Sequence, residues 1–256
     1  MKKVIIGIGG LKGSGKDTVA SMMNYINSVG IGKATYDNWL LKQNHFDKEA
    51  ENKIIHFADR VKEALNVIYG IPIEYFNDHK YKDDMFYIIS SNKFIEVDKI
   101  KPIHKEVTIG MLQQQSLHDW DFSIRRKQED IDYHFGKEPT TIVIKLRTLM
   151  QYFGTEIVRN QLGIDTWCNI TINKAKDILK TNNYCYVPDV RMANEATSIL
   201  TNNDNNIVIL IERYIENKDN HESESLNFIH THKIINDSTK LNLFYKVIEL
   251  VHEINK

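Results

Sequence analysis

The chain has 256 residues, 42% of them hydrophobic and 26% charged, a balance that suits a folded globular protein and excludes a disordered one. Its formal net charge is -1, so no whole-chain field draws it to nucleic acid or to an anionic membrane. No apolar run approaches a membrane span, and the two separated cysteines, Cys168 and Cys185, suit reduced thiols in a cytoplasmic protein rather than a metal site.

The chain begins with an apolar strand, Lys3–Gly9. An N-terminus that enters a core strand at once predicts no signal peptide. Gly10-Leu11-Lys12-Gly13-Ser14-Gly15-Lys16-Asp17-Thr18 follows and opens a helix predicted from Asp17 to Asn27, ending before Gly30. Strand, glycine loop and helix with G-x-x-x-x-G-K spacing form the phosphate-binding loop signature. Glycines let backbone amides close on phosphate oxygens, the helix N-terminus adds partial positive charge, and Lys16 supplies a mobile cation for the β- and γ-phosphates. The residue after the lysine is usually Ser or Thr, whose hydroxyl holds magnesium. Here it is Asp17, with Thr18 next, so a carboxylate takes that place, holding magnesium directly or through water.

Residues 30–53 are polar and carry no clear pattern. Ile54-Ile55-His56-Phe57 is a short strand candidate, and Ala58–Tyr69 is amphipathic, with Val61, Ala64, Leu65 and Ile68 on one face. Gly70 and Pro72 stop that helix. Residues 71–140 are irregular, and so long a stretch between core elements predicts an inserted lobe. Within it Arg125-Arg126-Lys127 reads as a solvated face or an anion-steering patch.

Ile144–Phe153 has helical spacing, with Gly154 as its C-terminal cap and Thr155 as the N-cap of a following helix, Glu156–Leu162. A further helix, Thr166–Leu179, precedes a strand, Tyr184–Asp189, that delivers Asp189 and Arg191 to its carboxyl end. Ile207–Glu212 and Lys233–Asn236 are two more strands, and Leu241–Ile254 is an amphipathic terminal helix. Alternation of strand and helix predicts a mostly parallel five-stranded sheet flanked by helices, with ligands at the strands' carboxyl ends.

Four stretches together resemble one family: Gly10–Thr18; Leu146-Arg147-Thr148-Leu149-Met150-Gln151-Tyr152-Phe153-Gly154-Thr155; Val187-Pro188-Asp189-Val190-Arg191-Met192-Ala193-Asn194-Glu195; and Ile234-Ile235-Asn236-Asp237. Their order and spacing are similar to those of the bacteriophage deoxynucleoside monophosphate kinases, adenylate-kinase-like members of the phosphate-loop kinases. The loop form with aspartate after the lysine occurs in that family too. The resemblance implies transfer of the ATP γ-phosphoryl group to a deoxynucleoside monophosphate, with magnesium, in the cytoplasm of a phage host. It implies a kinase core over residues 1–70 and 141–256, a monophosphate-binding lobe over 71–140 and a small lid near 213–232. Lys16 matches the loop lysine, and Gly10, Lys12, Gly13, Ser14, Gly15, Asp17 and Thr18 complete the ATP site. Arg147 matches a phosphate-contacting arginine. Gln151, Gly154, Thr155, Trp167, Asp189, Arg191 and Glu195 match the substrate site, with Lys16, Arg147, Asp189 and Arg191 as the residues closest to the chemistry. Asp17 and Thr18 are the implied magnesium ligands. His221-Glu222-Ser223-Glu224 resembles a lid motif.

Physics alone leaves plainer alternatives open. Arg147 fits a surface arginine as well as a phosphate fork. Gly154-Thr155 fits a helix junction, Asp189 a turn cap, Glu195 a helix-dipole partner and Trp167 a core aromatic. His230 and His232 lack a carboxylate or cysteine partner for a metal. No protein nucleophile is needed, because a monophosphate is largely ionised at neutral pH and attacks by itself. Two other readings stay open: a phosphate-loop kinase of another small metabolite, such as dephospho-coenzyme A, and a nucleotide-binding regulator without transfer. The expected partners are ATP and a deoxynucleoside monophosphate, with neither nucleic acid nor membrane; a homodimer is left open.

Overall fold

A computed structural model describes residues 2–41, 53–84, 87–90, 93–96, 142–213 and 227–256. Arg125-Arg126-Lys127, His221-Glu222-Ser223-Glu224 and most of the expected lid lie outside these residues. The chain divides into two compact units, one of residues 1–60 and 162–256, the other of residues 61–161.

The first unit is built on a parallel sheet. Its strands are β1 (Val4–Gly9), β5 (Tyr184–Val190), β6 (Ile207–Glu212) and β7 (His232–Ile235), in the order β5-β1-β6-β7. All six residues of β1 are buried, as expected for a strand covered on both faces. Alternation sends its side chains to opposite layers. Val4, Ile6 and Ile8 join Val19, Met22, Met23 and Ile26 of α1 (Lys16–Val29), together with Phe244 and Val247 of the terminal helix α8 (Lys240–Ile254). Ile5 faces the other layer, with Ile172 and Ala175 of α6 (Thr166–Thr181) and Ala196 and Ile199 of α7 (Ala193–Leu200). α7 packs close over Gly7, where a Cβ would meet Ile199 Cδ1 at 2.7 Å.

Among the described residues the sheet has four strands rather than the expected five. Ile54 makes a single parallel bridge to Tyr186 at the β5 edge. The ladder stops there because the next backbone donors turn to carboxylates. His56 N–H donates to Asp59, and the N–H groups of Phe57 and Ala58 donate to Asp189. Those bonds begin α2 (Phe57–Tyr69), which carries the chain into the second unit. Gly70, at φ 71°, ends it as the sequence predicts.

The second unit has an antiparallel sheet that residue patterning did not predict: β2 (Tyr87–Ser90), β3 (Lys93–Glu96) and β4 (Ile142–Ile144), in the order β3-β2-β4. Ile144 therefore ends a strand instead of opening a helix; the β-branched run Ile142-Val143-Ile144 pairs with β2, and α4 (Leu146–Gln151) starts after Lys145. Gly154 and Thr155 form no helix break. They lie inside a π-helical run, Tyr152–Arg159, which passes directly into α5 (Asn160–Leu162). Gly154 is not among the positive-φ glycines, so the left-handed turn of a glycine cap is missing. A short helix, α3 (Ile73–Asn77), and a π-helical turn, Lys80–Asp84, complete this unit's described helical segments.

Candidate active site

Loop 10–15 joins β1 to α1 at the carboxyl edge of the parallel sheet, beside the ends of β5 and β6. Gly15, at φ 102°, is the N-cap of α1. A Cβ there would lie 2.9 Å from Asn236 Nδ2, so conformation and space both require glycine. Lys16 is only 7% exposed and folds back over the loop. Its Nζ donates to Gly10 O at 2.6 Å and to Leu11 O at 2.8 Å. Ser14 is wholly buried, and its Oγ has no hydrogen-bond partner among the described residues. Lys12 and Gly13 are exposed on the loop's outer side. A cation held by neutral carbonyls at a helix N-terminus is an arrangement that favours an anion.

Asp17 and Thr18 follow on the first turn of α1. The Asp17 side chain is exposed, with Oδ1 at 3.1 Å from His56 Nε2. His56 Nδ1 lies 3.3 Å from Asp59 Oδ2. Burial by itself would push this imidazole down. Hydrogen bonds with Asp17 and Asp59, together with the charges of Asp189 and Asp59, outweigh burial and raise it to about 10. His56 is therefore an imidazolium at neutral pH, and its hydrogen bond holds the Asp17 carboxyl below the usual range.

Asp189 stands near the end of β5. Oδ1 accepts from Phe57 N–H at 3.0 Å and Oδ2 from Ala58 N–H at 3.2 Å, so the carboxylate caps α2 from a distant strand. Burial raises its carboxyl above the ordinary value, while His56 and the two amides pull it down. Glu195 has a comparable role one helix later. Its Oε2 accepts from Arg191 N–H at 2.8 Å and Met192 N–H at 3.0 Å, the carboxylate half of a capping box on α7. Arg191 is half-buried at that junction, and Trp167 is half-buried in the first turn of α6.

Arg147, Gln151, Gly154 and Thr155 belong to the second unit, along one helical path. Arg147 forms a two-pronged ion pair with Asp83, one prong from Nε and the other from Nη2 at 2.9 Å. His79 Nε2 lies 3.4 Å from the same carboxylate. The Arg147 guanidinium holds the Asp83 carboxyl below its usual value. Gln151 is exposed, whereas Gly154 and Thr155 are half-buried.

Sequence reasoning missed five contributors. His56 and Asp59 sit in an H-x-x-D run at the start of a helix, a capping pattern that was legible; the link to Asp17, 39 residues away, was not. Arg213, just past β6, places Nη1 3.4 Å from Gly13 O. Asn236, just past β7, donates from Nδ2 to Ser14 O at 2.8 Å. Asp83 has no local signal at all. Both cysteines are buried; Asn194 Nδ2 donates to Cys168 Sγ at 3.3 Å, and burial pushes the Cys185 thiol up to about 12, which leaves it inert. Among the described residues no helix is long and apolar enough to cross a membrane. No group of three or more His, Cys, Asp or Glu side chains there could hold a metal.

A family model described as deoxynucleotide monophosphate kinase matches residues 3–248. No curated protein matches the chain.

Proposed function

Since the chain belongs to the deoxynucleotide monophosphate kinase family, we propose that it transfers the γ-phosphoryl group of ATP to a deoxynucleoside 5′-monophosphate. An acceptor phosphate oxygen bonds to the γ-phosphorus, the bond to the β–γ bridging oxygen breaks, and the products are ADP and the deoxynucleoside diphosphate. The observation that carries this reading is Lys16. Its ammonium rests on two neutral carbonyls at the start of α1, ready to exchange them for phosphate oxygens.

Loop 10–18, that is Gly10, Lys12, Gly13, Ser14, Gly15, Lys16, Asp17 and Thr18, takes the ATP phosphates. For the acceptor, the proposed residues are Arg147, Gln151, Gly154 and Thr155 in the second unit and Trp167, Asp189, Arg191 and Glu195 in the first. Within that group Asp189 and Glu195 act by holding helix starts, while arginine forks meet phosphate oxygens. The donor set fits magnesium, which takes one or two carboxylates beside phosphate oxygens and waters and needs no cage of protein ligands. Asp17, exposed and ionised, with Thr18 beside it and Asp189 near His56, would hold the ion. Magnesium would neutralise charge on the β- and γ-oxygens.

The test is ADP release from ATP and magnesium against a panel of deoxynucleoside monophosphates, ribonucleoside monophosphates and dephospho-coenzyme A. Turnover with at least one deoxynucleoside monophosphate is expected. Turnover with dephospho-coenzyme A alone would make this a metabolite kinase. ATP binding without turnover on any acceptor would make it a regulator.

A further inference from the structure

The buried amide of Asn236 connects the last strand of the sheet to the glycine loop. Asn236 follows β7 and is 8% exposed. Its backbone N–H donates to Glu212 O at 2.7 Å, extending the β6–β7 ladder one residue past the strand. The flanking residues are tied to α8, since Lys246 Nζ donates to Ile235 O at 2.7 Å and to Asp237 Oδ1 at 2.8 Å. The side chain is thus carried on a fixed base. From there Nδ2 donates to Ser14 O at 2.8 Å. The loop lies so close that a Cβ on Gly15 would fall 2.9 Å from the same nitrogen.

A trans peptide is planar, with its C=O and its N–H pointing in opposite directions. Ser14 C=O and Gly15 N–H share one such plane. Drawing the carbonyl toward Asn236 turns the Gly15 amide the opposite way, outward from the end of β7. Gly15 is also the N-cap of α1, so its amide stands next to the first amides of the helix. These are the donors that a phosphate meets at a helix N-terminus.

We propose that Asn236 is a positioning residue for phosphate: it acts through Ser14 O, orients the Gly15 amide and so presets the loop for the nucleotide diphosphate moiety. The proposal rests on the phosphate-loop reading of residues 10–18. Asn236 itself touches no substrate. Its removal should leave the sheet intact and let the Ser14–Gly15 peptide rotate, weakening nucleotide binding at the loop.

The experiment uses the full chain, with ADP as the probe in titration calorimetry and melting temperature measured in parallel. Asn236→Ala removes the donor. Asn236→Asp keeps the volume but sets an oxygen against the Ser14 carbonyl. Asn206→Ala is the control for mere structure. Asn206 is as deeply buried, accepts from Ile5 N–H at 2.8 Å and donates to Ile199 O at 2.8 Å, at the amino end of the sheet. Lys16→Ala tests the underlying reading.

Asn236→Ala should raise the Kd for ADP about tenfold, the scale of one oriented hydrogen bond, and Asn236→Asp should raise it further. Asn206→Ala should lower the melting temperature but leave the Kd within about twofold. Under turnover the Asn236 variants should raise KM for ATP and leave KM for the acceptor unchanged, a split that general loosening does not produce. If the alanine variant does not fold, the aspartate variant decides. Wild-type-like Kd in folded Asn236 variants, with binding lost in Lys16→Ala, overturns the role of Asn236 and leaves the loop reading standing. Equal ADP binding by wild type and Lys16→Ala overturns both.

Discussion

In the parallel-sheet unit the prominent cation, Lys16, sits on uncharged oxygens, the carbonyls of Gly10 and Leu11. In the second unit the prominent cation, Arg147, sits on a carboxylate, Asp83. One acid from each unit shows the same difference. Asp189 in the first unit takes two backbone amides, whereas Asp83 in the second takes a guanidinium. Exchanging a carbonyl for a phosphate oxygen gives an ammonium a stronger partner at little cost. Exchanging a carboxylate for a phosphate merely replaces one anion with another, so the net gain is small. At the loop, then, the Lys16 ammonium has carbonyls to exchange for an anion's oxygens, whereas Arg147 already holds a carboxylate. Substitutions at Lys16 should cost far more than substitutions at Arg147.

The sharpest test of that contrast is Lys16→Ala. The fold should persist, because the lost bonds are to loop carbonyls, and turnover should drop by at least about a hundredfold, the scale for one preorganised transition-state contact. Steady-state kinetics with a melting curve checks both halves. Next comes Asp189→Ala. Two amide donors at the start of α2 lose their acceptor, so unfolding free energy should fall by about 2 kcal/mol, measurable by urea denaturation. An unchanged stability would mean that water caps the helix equally well. Arg147→Ala should then raise acceptor KM about tenfold, the worth of a hydrogen bond to a charged group in that range. A loss equal to that of Lys16→Ala would break the comparison.

The same division governs how much the sequence revealed. Strand, loop and helix were legible at Val4–Val29 because glycine spacing and a continuous apolar run are local signals. The five-strand count failed because Ile54 has strand chemistry, while its successors' donors are claimed by Asp59 and by the distant Asp189. Gly154 read as a cap by composition alone; its backbone stays helical, and no residue type announces a π-helical run. Asn236 lay inside a motif already noted, yet its bond to Ser14 spans 222 residues and leaves no periodic trace. Asp83 is hidden for a similar reason, 64 residues from Arg147.

Asp83→Asn probes the contrast from the other side and should have the smallest effect. Asparagine keeps the shape and an acceptor oxygen but removes the charge opposite Arg147. Where Arg147 serves the acceptor phosphate, as proposed, the carboxylate competes with that phosphate, and its neutralisation should lower acceptor KM about threefold, the modest scale of a partly exposed ion pair. Unfolding free energy should fall slightly for the same reason, which separates this variant from a simple improvement. The pH dependence has a definite sign. Arg147 holds the Asp83 carboxyl below its ordinary value, so the pair's contribution is complete above about pH 4, the unfolded carboxyl range, and is lost only as pH falls through the lower folded value. The ratio of variant to wild-type KM should accordingly be the same at about pH 6 and pH 8. A ratio that changes across that interval would mean that the Asp83 carboxylate is not what controls the guanidinium. A KM that rises instead of falling would mean that Asp83 aligns the guanidinium for the phosphate rather than competing with it, and the second unit would then be preset as firmly as the first.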